Sequence, residues 1–215
     1  MTLLEIINTI NFIIGDKRPE MGLLTPNRFS TMLHIASLKH FKRKLGLPEE
    51  YQVGMPLPRQ AFELTQKITE DLRRFKVVND NFLFTNGVSV YPDGYYYPSS
   101  MAAVIFYDVG SMRKNVRFVT DQRWDEMNGS YVDIPNEEYP IANFQSDTIR
   151  IAPTTITRTI FTYLRLPVKP VYAVRIQNNV SVYDPDSSVQ LEWDEINQID
   201  IITILLADLG LPLMR

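Results

Sequence analysis

The chain of 215 residues contains no cysteine and only two histidines. The absence of cysteine excludes a disulfide framework, thiolate catalysis, and zinc or iron–sulfur sites ligated by cysteine. His34 and His40 lie six residues apart on one predicted helix, which turns them about 120° away from each other. Helical metal motifs place two histidines four residues apart on one face. We therefore predict no metal site.

Long apolar runs and the common catalytic motifs are also missing. The apolar run from Ile6 to Ile14 is interrupted by Asn8, Thr9 and Asn11, and it is shorter than the roughly 20 residues that span a bilayer. We expect no membrane partner. The sequence has no glycine-rich phosphate loop, no His-Glu-x-x-His motif and no Gly-x-Ser-x-Gly elbow. We predict that the protein is not an enzyme and has neither catalytic residues nor a cofactor.

A cluster of acidic residues near the C-terminus leaves one enzymatic hypothesis open. Its members are Asp184, Asp186, Glu192, Asp194 and Glu195. Two of these carboxylates could act as acid and base on a cell-wall polymer. Acidic groups at the start of a helix are, however, stabilised by its positive end. We favour the structural explanation.

The remaining composition is that of an ordinary globular protein, with 45% hydrophobic and 22% charged residues. The net charge is −3, but it is unevenly distributed. Residues 1–78 contain twelve basic and eight acidic side chains, whereas residues 176–215 contain one basic and seven acidic side chains. Opposite charges at the two ends could join neighbouring subunits. They could also be ordinary solvated surfaces, since surface ion pairs contribute little on average.

Hydrophobic spacing predicts helices at both ends of the chain. The first runs from Leu3 to about Ile14 and is ended by Gly15. The second begins at Thr25-Pro26, with threonine as the cap and proline at the first helical position, and ends at Gly46. A third begins at Pro58. The last helix, about Asp194 to Leu209, is expected to pack back against the N-terminal helices. Its continuous apolar side contains Ile196, Ile199, Ile202 and Leu206, and Ile204, Leu205 and Leu209 widen that side to most of the circumference, so burial on more than one side is expected.

The middle of the sequence is typical of β-structure. Asn86-Gly87 predicts a hairpin between Phe82–Phe84 and Val88–Val90, because both turn residues tolerate positive φ. Residues 146–153 and 159–167 alternate in the manner of paired, half-buried strands. A further hairpin or extended arm is expected at about 172–183.

These elements predict an α+β fold in which both chain ends form a helical subdomain and an antiparallel β-sandwich or barrel-like subdomain is inserted between them. The expected divisions are an N-terminal helical part at 1–78, a β-rich subdomain at 79–183, and a C-terminal helix at 184–215 that packs on the N-terminal helices.

Three sequence blocks resemble a virion protein of crAss-like and related short-tailed phages of gut Bacteroidetes. They are PRQAFELTQKITEDLRRFKV near residue 60, EYPIANFQSDTIRIAP, and YLRLP after IAP. The order of helices, β-region and helix is more loosely similar to the tail tubular protein A group of head-to-tail adaptors. The resemblance implies a structural protein of the virion neck, assembled in the bacterial cytoplasm. It implies a homo-oligomeric ring, twelve-fold in the adaptor group, that docks on a portal or adjacent ring and extends the channel for genomic DNA.

Ten residues are candidates for the interfaces of such a ring. They are Lys39, Lys42, Arg43, Lys44, Tyr95, Tyr96, Tyr97, Trp124, Arg165 and Trp193. The basic residues could contact a portal or DNA phosphates, but many phosphate contacts would retard a moving duplex. Tyrosines combine a large apolar body with a polar tip and suit interfaces, although Tyr95 and Tyr97 could instead fill the sandwich core. The alternative function is a virion decoration or glycan-binding β-sandwich module.

Overall fold

The computed structural model describes residues 1–17, 22, 24–45, 70–107, 110–130, 132–178 and 180–211. The predicted α+β class is confirmed, with helices near both chain ends and a central β-region. The chain divides into two compact units. The helical unit comprises Met1–Arg74 and Pro167–Arg215, and the sandwich unit comprises Phe75–Leu166. This division differs from the expected boundary at 183, because the segment around the last hairpin belongs to the helical unit.

The elements are numbered here in chain order. The helices are α1 (Leu3–Lys17), α2 (Pro26–Lys44), α3 (Asp121–Asn128) and α4 (Glu195–Asp208), with a 3-10 turn at Arg73–Phe75. The strands are β1 (Lys76–Leu83), β2 (Val88–Val90), β3 (Tyr95–Tyr107), β4 (Gly110–Asn115), β5 (Arg117–Phe118), β6 (Ile141–Phe144), β7 (Thr148–Ala152), β8 (Arg158–Arg165), β9 (Val174–Gln177) and β10 (Val180–Tyr183).

A reciprocal cap begins helix α1. The Glu5 backbone N–H donates to Thr2 Oγ1 at 3.3 Å, and the Thr2 N–H donates to Glu5 Oε2 at 2.7 Å. Two backbone donors at the helix start are thereby satisfied. The predicted end at Gly15 is wrong, since the helix continues to Lys17. Gly15 is not among the residues with positive φ, and an interior glycine weakens a helix by only about 1 kcal/mol.

The start of α2 at Pro26 is confirmed, with Thr25 as an extended cap residue whose side chain makes no capping hydrogen bond. The predicted end at Gly46 and most of the helix predicted from Pro58 lie outside the described residues.

Helix α4 spans nearly the predicted range, and Ile202, Ile204, Leu205, Leu206 and Leu209 are buried as predicted, but the first turns of the helix differ from the prediction. Ile196 and Ile199 are exposed, whereas Asn197 and Gln198 are buried. The Asn197 side chain pairs with His40, and Gln198 Nε2 donates to the Trp193 carbonyl at 2.7 Å. These hydrogen bonds offset part of the cost of burying the two amides, although Gln198 Oε1 is buried with no partner among the described residues. Apolar spacing alone therefore gave the wrong face at the start of this helix.

The sandwich unit consists of two four-stranded sheets with orders β1-β8-β3-β4 and β2-β7-β6-β5. All pairs are antiparallel except β5 with β6. Side chains from both sheets meet in one core, which includes Met101 and Phe161 from the first sheet and Ala142, Ile149 and Ile151 from the second. The inserted β-region is therefore a β-sandwich.

The predicted pairing of residues 146–153 with residues 159–167 is wrong. Strand β7 pairs with β2 and β6, whereas β8 pairs with β1 and β3. Apolar and polar residues alternate along both β7 and β8 because each strand has one face in the shared core. Strands in facing sheets show this alternation just as paired strands do.

The Asn86-Gly87 turn forms as predicted, but the strands on either side of it belong to different sheets. Asn86 and Gly87 have φ of 50° and 76°. Thr85 and Val88 exchange both backbone hydrogen bonds, at 2.9 and 3.0 Å. Strand β1 then pairs with β8 and strand β2 with β7. The turn thus carries the chain from one layer of the sandwich to the other.

Replacing Gly87 by alanine is expected to lower the free energy of unfolding of the sandwich unit by about 2 kcal/mol. A Cβ at this position would lie 2.9 Å from the Ile151 carbonyl oxygen and 2.9 Å from Thr154 Cγ2, at a φ of +76°. Chemical denaturation measures the change. Gly94→Ala is the matched control, since its φ is +70° but its nearest neighbour is 3.9 Å away. Equal losses for the two variants would contradict the role of close packing at Gly87.

Candidate interaction surfaces

Two lysines of the basic α2 cluster are paired with carboxylates of the same chain. Lys39 Nζ lies 2.7 Å from Asp208 Oδ1, and Lys44 Nζ lies 2.7 Å from Asp71 Oδ2. Both contacts are within the helical unit. The positive charge at the end of α2 is therefore partly compensated without any partner molecule.

The acidic C-terminal residues are also engaged within the helical unit. The Met1 amino group lies 3.0 Å from Glu195 Oε1, and an Arg74 guanidinium nitrogen lies 2.6 Å from Asp194 Oδ1. The opposite charges noted at the two chain ends thus meet inside one chain. These contacts give Asp194 and Glu195 ion-pair partners within the chain. The acidic cluster at the start of α4 therefore has a structural explanation that requires no catalytic cleft.

Lys42 and Arg43 are exposed on the last turns of α2. Arg43 lines a shallow pocket together with His40, Lys44, Asp200 and Thr203. Among the described residues, Arg43 forms no ion pair.

Trp193, one of the candidate interface residues, is buried inside the chain. It is 2% exposed and lies within the helical unit. Its indole N–H donates to Ser37 Oγ at 2.9 Å, and its ring contacts the His40 ring edge-on with centroids 4.8 Å apart. Trp193 lies two residues before the start of α4, next to the cap residue Asp194, and anchors this helix to α2. A large aromatic residue signals burial or an interface equally well from sequence, and here the intramolecular partner is 156 positions away.

His40 occupies the contact between α2 and α4. Its Nε2 lies 3.1 Å from Asn197 Oδ1. Burial lowers the pKa of His40 below its ordinary value, reinforced by Lys44 and Arg43 and opposed by the Asn197 hydrogen bond and Asp200. The pKa of His34 is also lowered by burial, with a contribution from Lys169. In the described part of the chain, no group of three potential ligands could hold a metal ion.

The three consecutive tyrosines have two different environments. Tyr95 stacks on Tyr91 with ring centroids 4.6 Å apart and packs beside Phe144, Phe161 and Tyr163. Its burial raises the pKa of Tyr95, with smaller contributions from Tyr91 and Tyr97. Tyr95 is therefore partly buried and packs against the sandwich core, the alternative considered for it above.

Tyr96 and Tyr97 are 37% and 57% exposed. The register of β3 against β8 shifts between Tyr95 and Tyr97. Such a bulge breaks the two-residue alternation of a strand, which is why Tyr97 does not join Tyr95 in the core. Only these two tyrosines of the run are available as interface residues.

Arg165 is not on an edge strand, because β8 lies between β1 and β3. Its guanidinium carbon lies 5.7 Å from the centre of the Phe75 ring, and Nη1 donates to the Leu166 carbonyl at 3.2 Å. Trp124 is half-buried on α3. Both Arg165 and Trp124 are therefore only partly exposed.

Several exposed apolar side chains were missed by the sequence analysis. Strands β9 and β10 form a separate two-stranded sheet, in which Ile176 is 79% and Val180 is 61% exposed. The arm predicted at 172–183 contains this hairpin. The sequence pattern of the arm did not indicate that both faces of the hairpin are exposed. A second group follows α3, where Val132, Ile134 and Tyr139 are 92%, 57% and 69% exposed.

No helix within the described ranges has the length and apolar character needed to cross a membrane. Comparisons with known protein families and with curated proteins found no match.

The stability of the helical unit is expected to fall as the pH is lowered from 7 towards 5. The unfolded chain binds a proton at His40 near the ordinary pKa of 6.5, whereas the folded chain binds it only at lower pH. Acidification through this window therefore favours unfolding. His40→Gln should flatten the dependence, as measured by denaturation at a series of pH values. His34→Gln is the control and should retain more of the slope; an unchanged slope in His40→Gln would refute the assignment.

Tyr95→Ala and Tyr97→Ala should have different effects although the residues are two apart. Loss of the stacked Tyr95 ring is expected to destabilise the sandwich unit by about 3 kcal/mol. Loss of the exposed Tyr97 ring should change stability by less than about 0.5 kcal/mol. Thermal denaturation of both variants compares them directly. Similar destabilisation by both would mean that the bulge does not separate the two side chains.

Proposed function

We propose that this protein is a structural component of a phage virion, a ring-forming head-to-tail adaptor or neck protein. Copies of the chain would surround the DNA channel and dock on the portal or on an adjacent ring. The DNA would pass through without sequence-specific binding. Twelve copies are expected by analogy with the adaptor group.

The observation that carries the proposal is the exposed β9–β10 hairpin in the helical unit. A two-stranded hairpin is marginally stable in water without further packing. Here Tyr183 packs on Tyr172 at the base, with ring centroids 4.8 Å apart, while Ile176 and Val180 remain exposed nearer the turn. Exposed apolar residues on a projecting element favour a contact with another protein. An arm of this kind suits a subunit that must join its neighbours.

The layout of the chain gives a second line of support. Both ends of the chain form one helical unit, and the sandwich is inserted between them. This is the order of helices, β-region and helix that the adaptor resemblance implies. The sequence blocks quoted above point to the same class of virion protein.

A glycan-binding or decoration module is the second candidate. Tyr96 and Tyr97 are exposed aromatics followed by Pro98, Ser99 and Ser100, and an aromatic surface beside hydroxyl groups is suited to sugars as well as to proteins. Glycan binding by the monomer would favour this candidate.

Negative-stain electron microscopy of the chain mixed with its cognate portal tests the proposal. We expect rings stacked on the portal, with the copy number visible in end-on views. A double variant, Ile176→Asn with Val180→Asn, should remain folded and lose this ring. Val90→Asn is the control, because Val90 is 70% exposed but lies on the sandwich. A bare portal with the unmodified chain would contradict the adaptor function.

A further inference from the structure

Helix α2 presents a basic face with an apolar centre. The helix contains five basic and no acidic residues. On a helical wheel an arc of about 120° contains Arg28, Thr31, Met32, Ile35, Lys39, Lys42 and Arg43, and all of them are exposed except Met32, which is half-buried. We call this the basic face. Ile35, 45% exposed, lies near the middle of it.

A second exposed surface has the opposite charge. The segment from Asp121 to Tyr139 contains six acidic residues and one basic residue, and we call it the acidic segment. Arg123 compensates part of this charge, at 3.1 Å from Glu126 and 3.3 Å from Asp133. Within the described residues, Asp125 and Glu137 form no ion pair. Val132, Ile134 and Tyr139 add exposed apolar area between and beside these charges.

We propose that the acidic segment of one copy of the chain binds the basic face of α2 on the next copy. The two surfaces are complementary in charge, and both combine charges with exposed apolar side chains. Charge complementarity of this kind fixes orientation and excludes incorrect pairings. The proposed contact joins unlike surfaces of successive copies head to tail, which is the type of interface that closes into a ring.

This inference rests on the proposed function, since it names the surfaces through which copies of the adaptor meet. It also explains why α2 keeps an isoleucine at an exposed position between basic residues. Ile35 would be covered by apolar side chains of the acidic segment, and desolvation would strengthen the ion pairs around it. The surface ion pairs already present, such as Lys39 with Asp208, are weak enough to rearrange.

Charge reversal on each surface tests the contact. The first variant carries Arg28→Glu and Arg43→Glu, and the second carries Asp125→Lys and Glu137→Lys. Each alone should weaken self-association at least about tenfold. The two variants mixed should assemble again, because each supplies the surface that the other now requires. Sedimentation velocity at low and at physiological salt, with and without portal, measures association.

A matched control carries Arg117→Glu and Arg150→Glu, which makes the same change in net charge on exposed residues of the sandwich. It should associate as the unmodified chain does. Circular dichroism and thermal denaturation verify that every variant is folded.

The possible outcomes separate this inference from the proposed function. Loss of association in each reversal variant, with rescue on mixing, supports the contact, even if no ring forms on the portal and the adaptor function fails. Rings that form with every variant would keep the adaptor function and overturn the contact. Loss without rescue, or an unmodified chain that never self-associates with or without portal, would also overturn it. Loss of portal docking with self-association unchanged would instead assign the basic face to the portal.

Discussion

The packing of Trp193 between the two ends of the chain is the interaction on which the helical unit depends. Its indole N–H binds Ser37 Oγ, its ring meets His40 edge-on, and its carbonyl accepts from Gln198. These contacts fix α4 against α2 although long stretches of chain separate them. Loop closure over such a distance costs conformational entropy, and burial of a large aromatic ring with all its polar groups satisfied helps to offset that cost. The chain leaves the helical unit to form the sandwich and then returns to it, and the Trp193 contact joins the two parts of the helical unit.

Local irregularities of the backbone decide which residues of the sandwich remain exposed. The turn at Asn86 and Gly87 moves the chain between layers, so that neighbouring strands in sequence are not neighbours in a sheet. The bulge in β3 separates Tyr95 from Tyr97. A core residue and an exposed aromatic therefore come from one run of identical side chains. The turn and the bulge therefore decide both which side chains fill the core and which remain exposed to another molecule.

The charges of the protein fall into two groups. The first group has carboxylate partners in the same unit and consists of Lys39, Lys44, Arg74 and the terminal amino group. These ion pairs help to orient segments of the helical unit that are separated in the sequence. Arg28 and Arg43 on α2, and Asp125 and Glu137 after it in the chain, form no ion pair in the described part of the structure. Unpaired charges attract another molecule more strongly than paired ones, because in an ion pair the opposite charge lies beside each group.

The sequence by itself determined the α+β class, the start of α2 at Pro26, the approximate extent of α4 and the turn at Asn86-Gly87. Each depends on local rules: capping, helical spacing, and the tolerance of asparagine and glycine for positive φ. Only the tertiary structure decided the pairing of β7 and β8, the buried face at the start of α4, and the burial of Trp193. These depend on partners distant in sequence: facing sheets give the same alternation as paired strands, and an amide is buried wherever His40 or a carbonyl satisfies it. Of the candidate interface residues, Lys42, Arg43, Tyr96 and Tyr97 are exposed, Tyr95 and Arg165 are partly buried and Trp193 is buried. Local pattern does not separate these cases, because the same side chain serves a core or an interface according to what packs against it.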